Sequence, residues 1–182
     1  MTGSAGTGAD GASPLGRYGS GSAAGSPLVT VVLVGTPLRL LAAGREWHDS
    51  VLAELRSRAL NPQAVPAGTP GRLLELIDVL GVRYAAAAPR PDTEVDEALD
   101  AGDRCRDLAY RVPVTAALSA QMLAGLLDEV DEFCAAGLLL TAPRAPGLRA
   151  FTSWWTEQFT RQCEGHPPVR WDGPLDLPPG AS

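Results

Sequence analysis

The chain has 182 residues, a formal net charge of −6 and 45% hydrophobic residues, which bounds it to one domain of ordinary size with tails. All 15 of its basic residues are Arg and none is Lys, so Schiff-base lysines, a P-loop lysine and a Ser-Lys dyad are excluded. An acidic chain supplies little of the cationic surface that non-specific nucleic-acid binding needs, so no nucleic-acid partner is expected.

Residues 1–27 are rich in Gly, Ser and Ala, with Tyr18 the one aromatic, and predict a disordered arm. The arm lacks an apolar run of leader type. The longest apolar stretch, Val29–Ala43, is interrupted by Gly35, Pro37 and Arg39, so no membrane span and a cytoplasmic location are expected. Val29–Val34 is β-branched and bounded by Pro27 and Gly35, and predicts a strand, with Leu38–Ala43 continuing it or forming a second. From Arg45 to Leu60 the apolar residues shift to helical spacing, through Trp47, Val51, Leu55 and Ala59. Thr69 and Pro70 open a further predicted helix with Leu73, Leu76, Ile77, Leu80 and Tyr84 as its stripe. Thr93–Asp103 predicts a short acidic helix.

Asp107–Pro113 alternates Leu108, Tyr110 and Val112 with polar or small residues and predicts a second short strand. The strongest helical pattern runs from Thr115 to Ala136. Leu118, Met122, Leu123, Leu126, Leu127, Val130 and Phe133 form its apolar face, and Gly137 its C-terminal cap. Leu138–Thr141 predicts a strand or buried extended segment. Pro146–Glu164 predicts the last helix, with Leu148, Phe151, Trp155 and Phe159 on one face and Gly165 ending it. The expectation is therefore a helix-rich α+β domain over residues 28–173, with a few short strands and a loose tail over 174–182.

Chemistry-bearing groups are sparse. Cys105, Cys134 and Cys163 have no close pairing and predict reduced, mostly buried thiols rather than a disulfide framework. His48, beside Trp47 and Asp49, is the one weak acid–base candidate, because a catalytic role requires the fold to bring it a nucleophile or an orienting acid. Cys163 and His166 have C-x-x-H spacing without a second pair, so no metal is expected. The acidic run Asp128–Glu132 spreads around a helix at about 100° per residue and predicts a solvated face. No phosphate-binding glycine loop or nucleophile elbow occurs, and no cofactor is expected. The aromatic residues of the last helix say more. Trp154 and Trp155 are adjacent, so if Trp155 joins Phe151 and Phe159, Trp154 faces a second surface. That surface is either another element of the domain or a partner. Trp154, with Arg149, Arg161 and Trp171 around it, is the candidate partner surface.

Three stretches taken together carry a resemblance. They are Pro37-Leu-Arg-Leu-Leu with Glu46-Trp-His-Asp49, then Tyr110-Arg-Val-Pro113 with Leu126–Cys134. The third is Leu139–Pro143 leading to Phe151-Thr-Ser-Trp154, Gly165-His-Pro-Pro168 and Trp171. Over residues 32–171 the chain resembles a family of small uncharacterised actinobacterial proteins often encoded beside STAS-domain anti-sigma-factor antagonists and GHKL-type anti-sigma kinases. The resemblance implies a role by association: an accessory protein in partner-switching signalling, with a STAS-domain or anti-sigma protein as partner. It does not imply the kinase itself, because Asn61 is the one Asn and no DxGxG occurs. Nor does it imply the antagonist, since Thr115 lacks the matching surroundings. The leading reading is a non-enzymatic regulatory or interaction protein. The alternatives are a small-molecule-binding domain or enzyme using His48, and a degenerate nucleotide-binding domain without catalysis.

Overall fold

A computed structural model describes residues 26–60 and 92–177. Its elements in chain order are β1 (Leu28–Pro37), α1 (Leu38–Leu60), α2 (Asp92–Asp100), β2 (Cys105–Pro113), α3 (Ala116–Ala135) and α4 (Pro146–Cys163). The described part is thus a helix-rich α+β fold of four helices and one two-stranded sheet. The predicted helix opened by Thr69, and all of the predicted arm but its last two residues, lie outside the described residues.

β1 and β2 pair antiparallel, with Val31 opposite Tyr110 and Leu33 opposite Leu108. All four of these side chains are buried. One extra residue on β1 breaks the register between Leu33 and Thr36. Gly35 takes up that bulge with φ of 70°, a left-handed conformation that costs a residue with a Cβ about 1–2 kcal/mol. Its N–H donates to Asp107 Oδ1 at 2.7 Å, and the Arg170 side chain lies across the place a Cβ would take.

The far edge of β1 is closed by α4. Val32 N–H donates to Gln162 Oε1 and Val32 C=O accepts from Gln162 Nε2, both at 2.8 Å. Farther along, Trp171 N–H donates to Val34 C=O. A side-chain amide and one returning backbone group therefore stand where a third strand would pair.

α1 begins at Leu38, seven residues before the predicted start, so Leu38–Ala43 is helix and not strand. Leu38 N–H is held by Arg104 C=O at 3.1 Å, and both Leu38 and Leu40 are fully buried. Leu-x-Leu alternation also satisfies a strand pattern, and Gly44 interrupts the helical one. In the fold, Gly44 lies where α1 passes α4, and a Cβ there would meet Leu148 at 3.4 Å.

The main core joins β1, β2, α2 and α4 with Leu38 and Leu40 of α1 and Ala120 of α3. A second cluster sets Val51, Leu52 and Leu55 of α1 against Leu126, Val130 and Cys134 of α3, with Leu139 beyond. On α3 the burial does not follow the predicted face: Ala120 is already in the core. Leu118 and Met122, assigned to the core face from periodicity, are 62% and 46% exposed. Among the described residues no neighbouring element reaches the first turns of that face. The predicted tail is packed as far as it is described: Leu175 and Leu177 lie against the core, and Asp176 pairs with Arg104 at 2.9 Å.

Replacing Gly35 by Ala combines a disfavoured φ with displacement of Arg170, and should destabilise the fold by about 1–2 kcal/mol. A urea unfolding midpoint that falls with unchanged slope is the expected result.

Candidate functional site

Of the two readings of the second face of α4, the structure has the domain's own chain over it: Trp154 and Trp171 lie in the core and not on an open surface. Trp154 is 9% exposed and Trp171 8%. Trp154 lies 5.9 Å from Phe151 and 5.5 Å from Trp171 between ring centroids, and Phe151 meets Trp171 edge-on at 5.8 Å. Both indole N–H groups are used, Trp154 Nε1 donating to Val169 C=O and Trp171 Nε1 to Pro174 C=O. The "second surface" of α4 is thus covered by the chain that returns after it. Trp155 is the more exposed of the pair, its ring tilted against Phe159 with centroids 4.4 Å apart. Burial on both sides also explains the polar residues inside α4: Gln158 Oε1 accepts the Val169 N–H, and Gln162 holds Val32.

Arg149 remains at the surface, its side chain 54% exposed, and Arg161 reaches Glu157 at 4.0 Å. His48 lies half-buried on α1, while its sequence neighbour Asp49 is exposed. His166 follows the C-terminal turn of α4 and faces Glu164 at 3.9 Å. Cys105 is exposed, contrary to the expectation of burial, whereas Cys134 is buried. Burial, and after it the Asp131 and Glu54 carboxylates, push the Cys134 thiol up to about 11. It stays protonated at neutral pH and is a poor nucleophile. Burial likewise raises Cys163. Among the described residues no group of three or more His, Cys, Asp or Glu is placed to share a metal ion, and no helix is long and apolar enough to cross a membrane.

The most constrained polar arrangement lies in the connection between α3 and α4, residues 138–145. Gly137, at φ of 70°, ends α3, and Leu138 N–H donates back to Phe133 C=O. The segment is irregular, not a strand. Leu139 points inward at 4% exposure and Leu140 outward at 92%.

Its backbone is held from two sides. On the α1 side, Glu54 accepts the N–H of Leu140 at 2.7 Å, and the N–H and hydroxyl of Thr141 at 3.0 Å each. Arg58 adds a bond at 2.7 Å to the same carboxylate. Trp47 Nε1 donates to Ala142 C=O at 2.8 Å. On the α3 side, Arg144 donates its backbone N–H to Asp131 Oδ1 at 2.8 Å and its Nε to Oδ2 at 3.0 Å. Its Nη2 reaches Asp128 at 2.8 Å, and Arg149 joins Asp131 at 3.3 Å. The Arg144 guanidinium also lies 5.4 Å from the centroid of the Trp47 ring.

Arg144 and Asp131 are both buried, with side chains 3% and 6% exposed. The acidic run of α3 is therefore not uniformly solvated: Asp131 turns inward to a partner 13 residues on. Periodicity could not show this, because the partner sits in a loop. The remaining cue was Arg144 itself, an arginine between Pro143 and Pro146 in a segment too stiff to wander.

Comparison with protein-family models, with curated proteins and with solved structures finds no match to this chain.

Truncating Trp154 to Ala should destabilise the domain by about 3–5 kcal/mol, with loss of near-UV circular dichroism on the same denaturation curve. The pH dependence follows from Glu54. Burial acts to raise its pKa, but the backbone bonds from Leu140 and Thr141, with Arg58 and the Thr141 hydroxyl, outweigh it. The pKa is held below the ordinary value of 4.5. A carboxyl depressed in the folded state stabilises it above the unfolded pKa and loses that contribution as pH falls through the folded one. Stability should thus fall more steeply below pH ~4.5 in the wild type than in Glu54→Gln, read from unfolding midpoints at pH 6 and at acid pH.

Proposed function

We propose that this protein is a cytoplasmic, non-enzymatic interaction protein that serves as an accessory in partner-switching signalling, with a STAS-domain or anti-sigma protein as its partner and no nucleic-acid role. The observation that carries the reading is Leu140. It is 92% exposed, yet its own N–H and the groups of the next two residues are bonded to α1. An apolar side chain held outward on an already ordered backbone loses little conformational freedom on docking, so burying it returns most of its hydrophobic gain. Arg149, exposed in the first turn of α4 and bonded to Asp131, supplies a charged rim beside the same connection. The resemblance to proteins encoded near anti-sigma modules supports the class of partner, and the acidic net charge supports the absence of a nucleic-acid role.

The test is capture of partners from the native cytoplasm by tagged wild type, Leu140→Ser and Arg149→Glu. Wild type is expected to recover a STAS-domain or anti-sigma protein. Leu140→Ser should weaken that complex by roughly 2 kcal/mol while leaving the unfolding midpoint unchanged. Equal recovery by wild type and Leu140→Ser overturns the assignment of the surface.

A further inference from the structure

An antiparallel pair turns the backbone groups of alternate residues outward along each of its edges. On β1 the outward groups are occupied, Val32 by the Gln162 amide and Val34 by the Trp171 N–H. Val32 therefore faces away from β2, and Ala109, its partner in register, faces away from β1. Alternation along β2 turns the main-chain groups of Asp107 and Arg111 outward as well. All three residues are exposed. Among the described residues nothing bonds to the main-chain N–H or C=O of Asp107, Ala109 or Arg111. One edge of the ribbon is closed by α4, and the other presents three consecutive outward positions.

Which strand fits that edge follows from its charges. When two copies of β2 meet antiparallel about Ala109, Ala109 exchanges both bonds with the partner's Ala109. Asp107 then stands opposite the partner's Arg111, and Arg111 opposite the partner's Asp107. Side chains opposite one another in such pairs have Cβ atoms about 5 Å apart, within reach of an ion pair. A slip of two residues, centred on Leu108 or on Tyr110, keeps the bonding groups facing but sets Asp107 opposite Ala109 or Pro113 and loses both ion pairs. The registers beyond are unfavourable. Centring on Arg111 sets two arginines together and brings Pro113, which has no N–H, into the ladder. Centring on Asp107 sets two carboxylates together. One residue of slip turns the bonding groups away altogether.

We propose that this protein self-associates through β2, two copies pairing about Ala109 to form a four-stranded antiparallel sheet. The interface is isologous and closes on itself, so it stops at a dimer. The charged residues on the edge strand add resistance to open-ended growth.

Sedimentation velocity of the full chain over a concentration series tests this. The wild type should show a monomer–dimer equilibrium. Ala109→Pro removes the central donor of the outer edge without removing a β1–β2 bond, because that N–H faces away from β1. It should raise the dimer dissociation constant at least tenfold, with far-UV circular dichroism unchanged. Arg111→Asp, at an exposed position, gives a second route should the proline disturb folding. Association should rank wild type first, an equal mixture of wild type and Arg111→Asp next, and Arg111→Asp alone last. A monomer at every concentration overturns the proposal. So does a dimer that both substitutions leave intact. Slow amide exchange at Ala109 and Arg111 in a wild-type monomer overturns it too, by showing the edge covered by another part of the same chain.

Discussion

A ribbon of two strands is marginal in water until something packs on its apolar face. In this protein the support comes from α4, and the decisive contact is the Gln162 amide laid against Val32. The amide offers one acceptor and one donor at the spacing of a peptide group, so it completes β1 as a neighbouring strand would. That contact fixes how α4 sits on the sheet, and with it which residues of the helix are inside. Phe151, Trp154 and Phe159 are buried on the same helix. Trp171, returning along β1, seals the aromatic cluster they form.

The second organising feature is ionic. Arg144 and Asp131 are withdrawn from water together, and each satisfies the other's hydrogen-bonding groups. A buried pair of this kind adds little net stability compared with an apolar pair, but leaving one member alone is severe. What it supplies here is position. With Glu54 and Trp47 bonded to the other side of residues 140–142, the connection between α3 and α4 is bonded on both sides. A loop so held displays Leu140 in one place.

The two surfaces inferred above differ in physical character. Leu140 is a point of apolar contact with a charged rim, suited to a partner that brings a pocket. The β2 edge is a row of main-chain groups flanked by Asp107 and Arg111, suited to another strand. Because β2 and the Leu140 connection are separate elements, engaging one does not require the other to be vacated by any contact described in the fold.

Local order was largely written in the residues. The β-branched run of β1, the alternation of β2 and the periodic helices α2, α3 and α4 each follow from short-range pattern, and Gly137 and Gly165 end their helices as glycine does in the left-handed conformation. What pattern left open was decided by contacts between residues far apart in the chain. Leu38–Ala43 is helical because Leu38 caps onto Arg104 and Leu40 enters the core. Trp154 is internal because Trp171 and Val169 come back over it. Asp131 is buried because Arg144 follows it inside, and Leu118 is exposed because no described element reaches it. Periodicity identifies which residues share a face. Only the tertiary arrangement decides whether a second face is also covered, since that depends on where the chain returns.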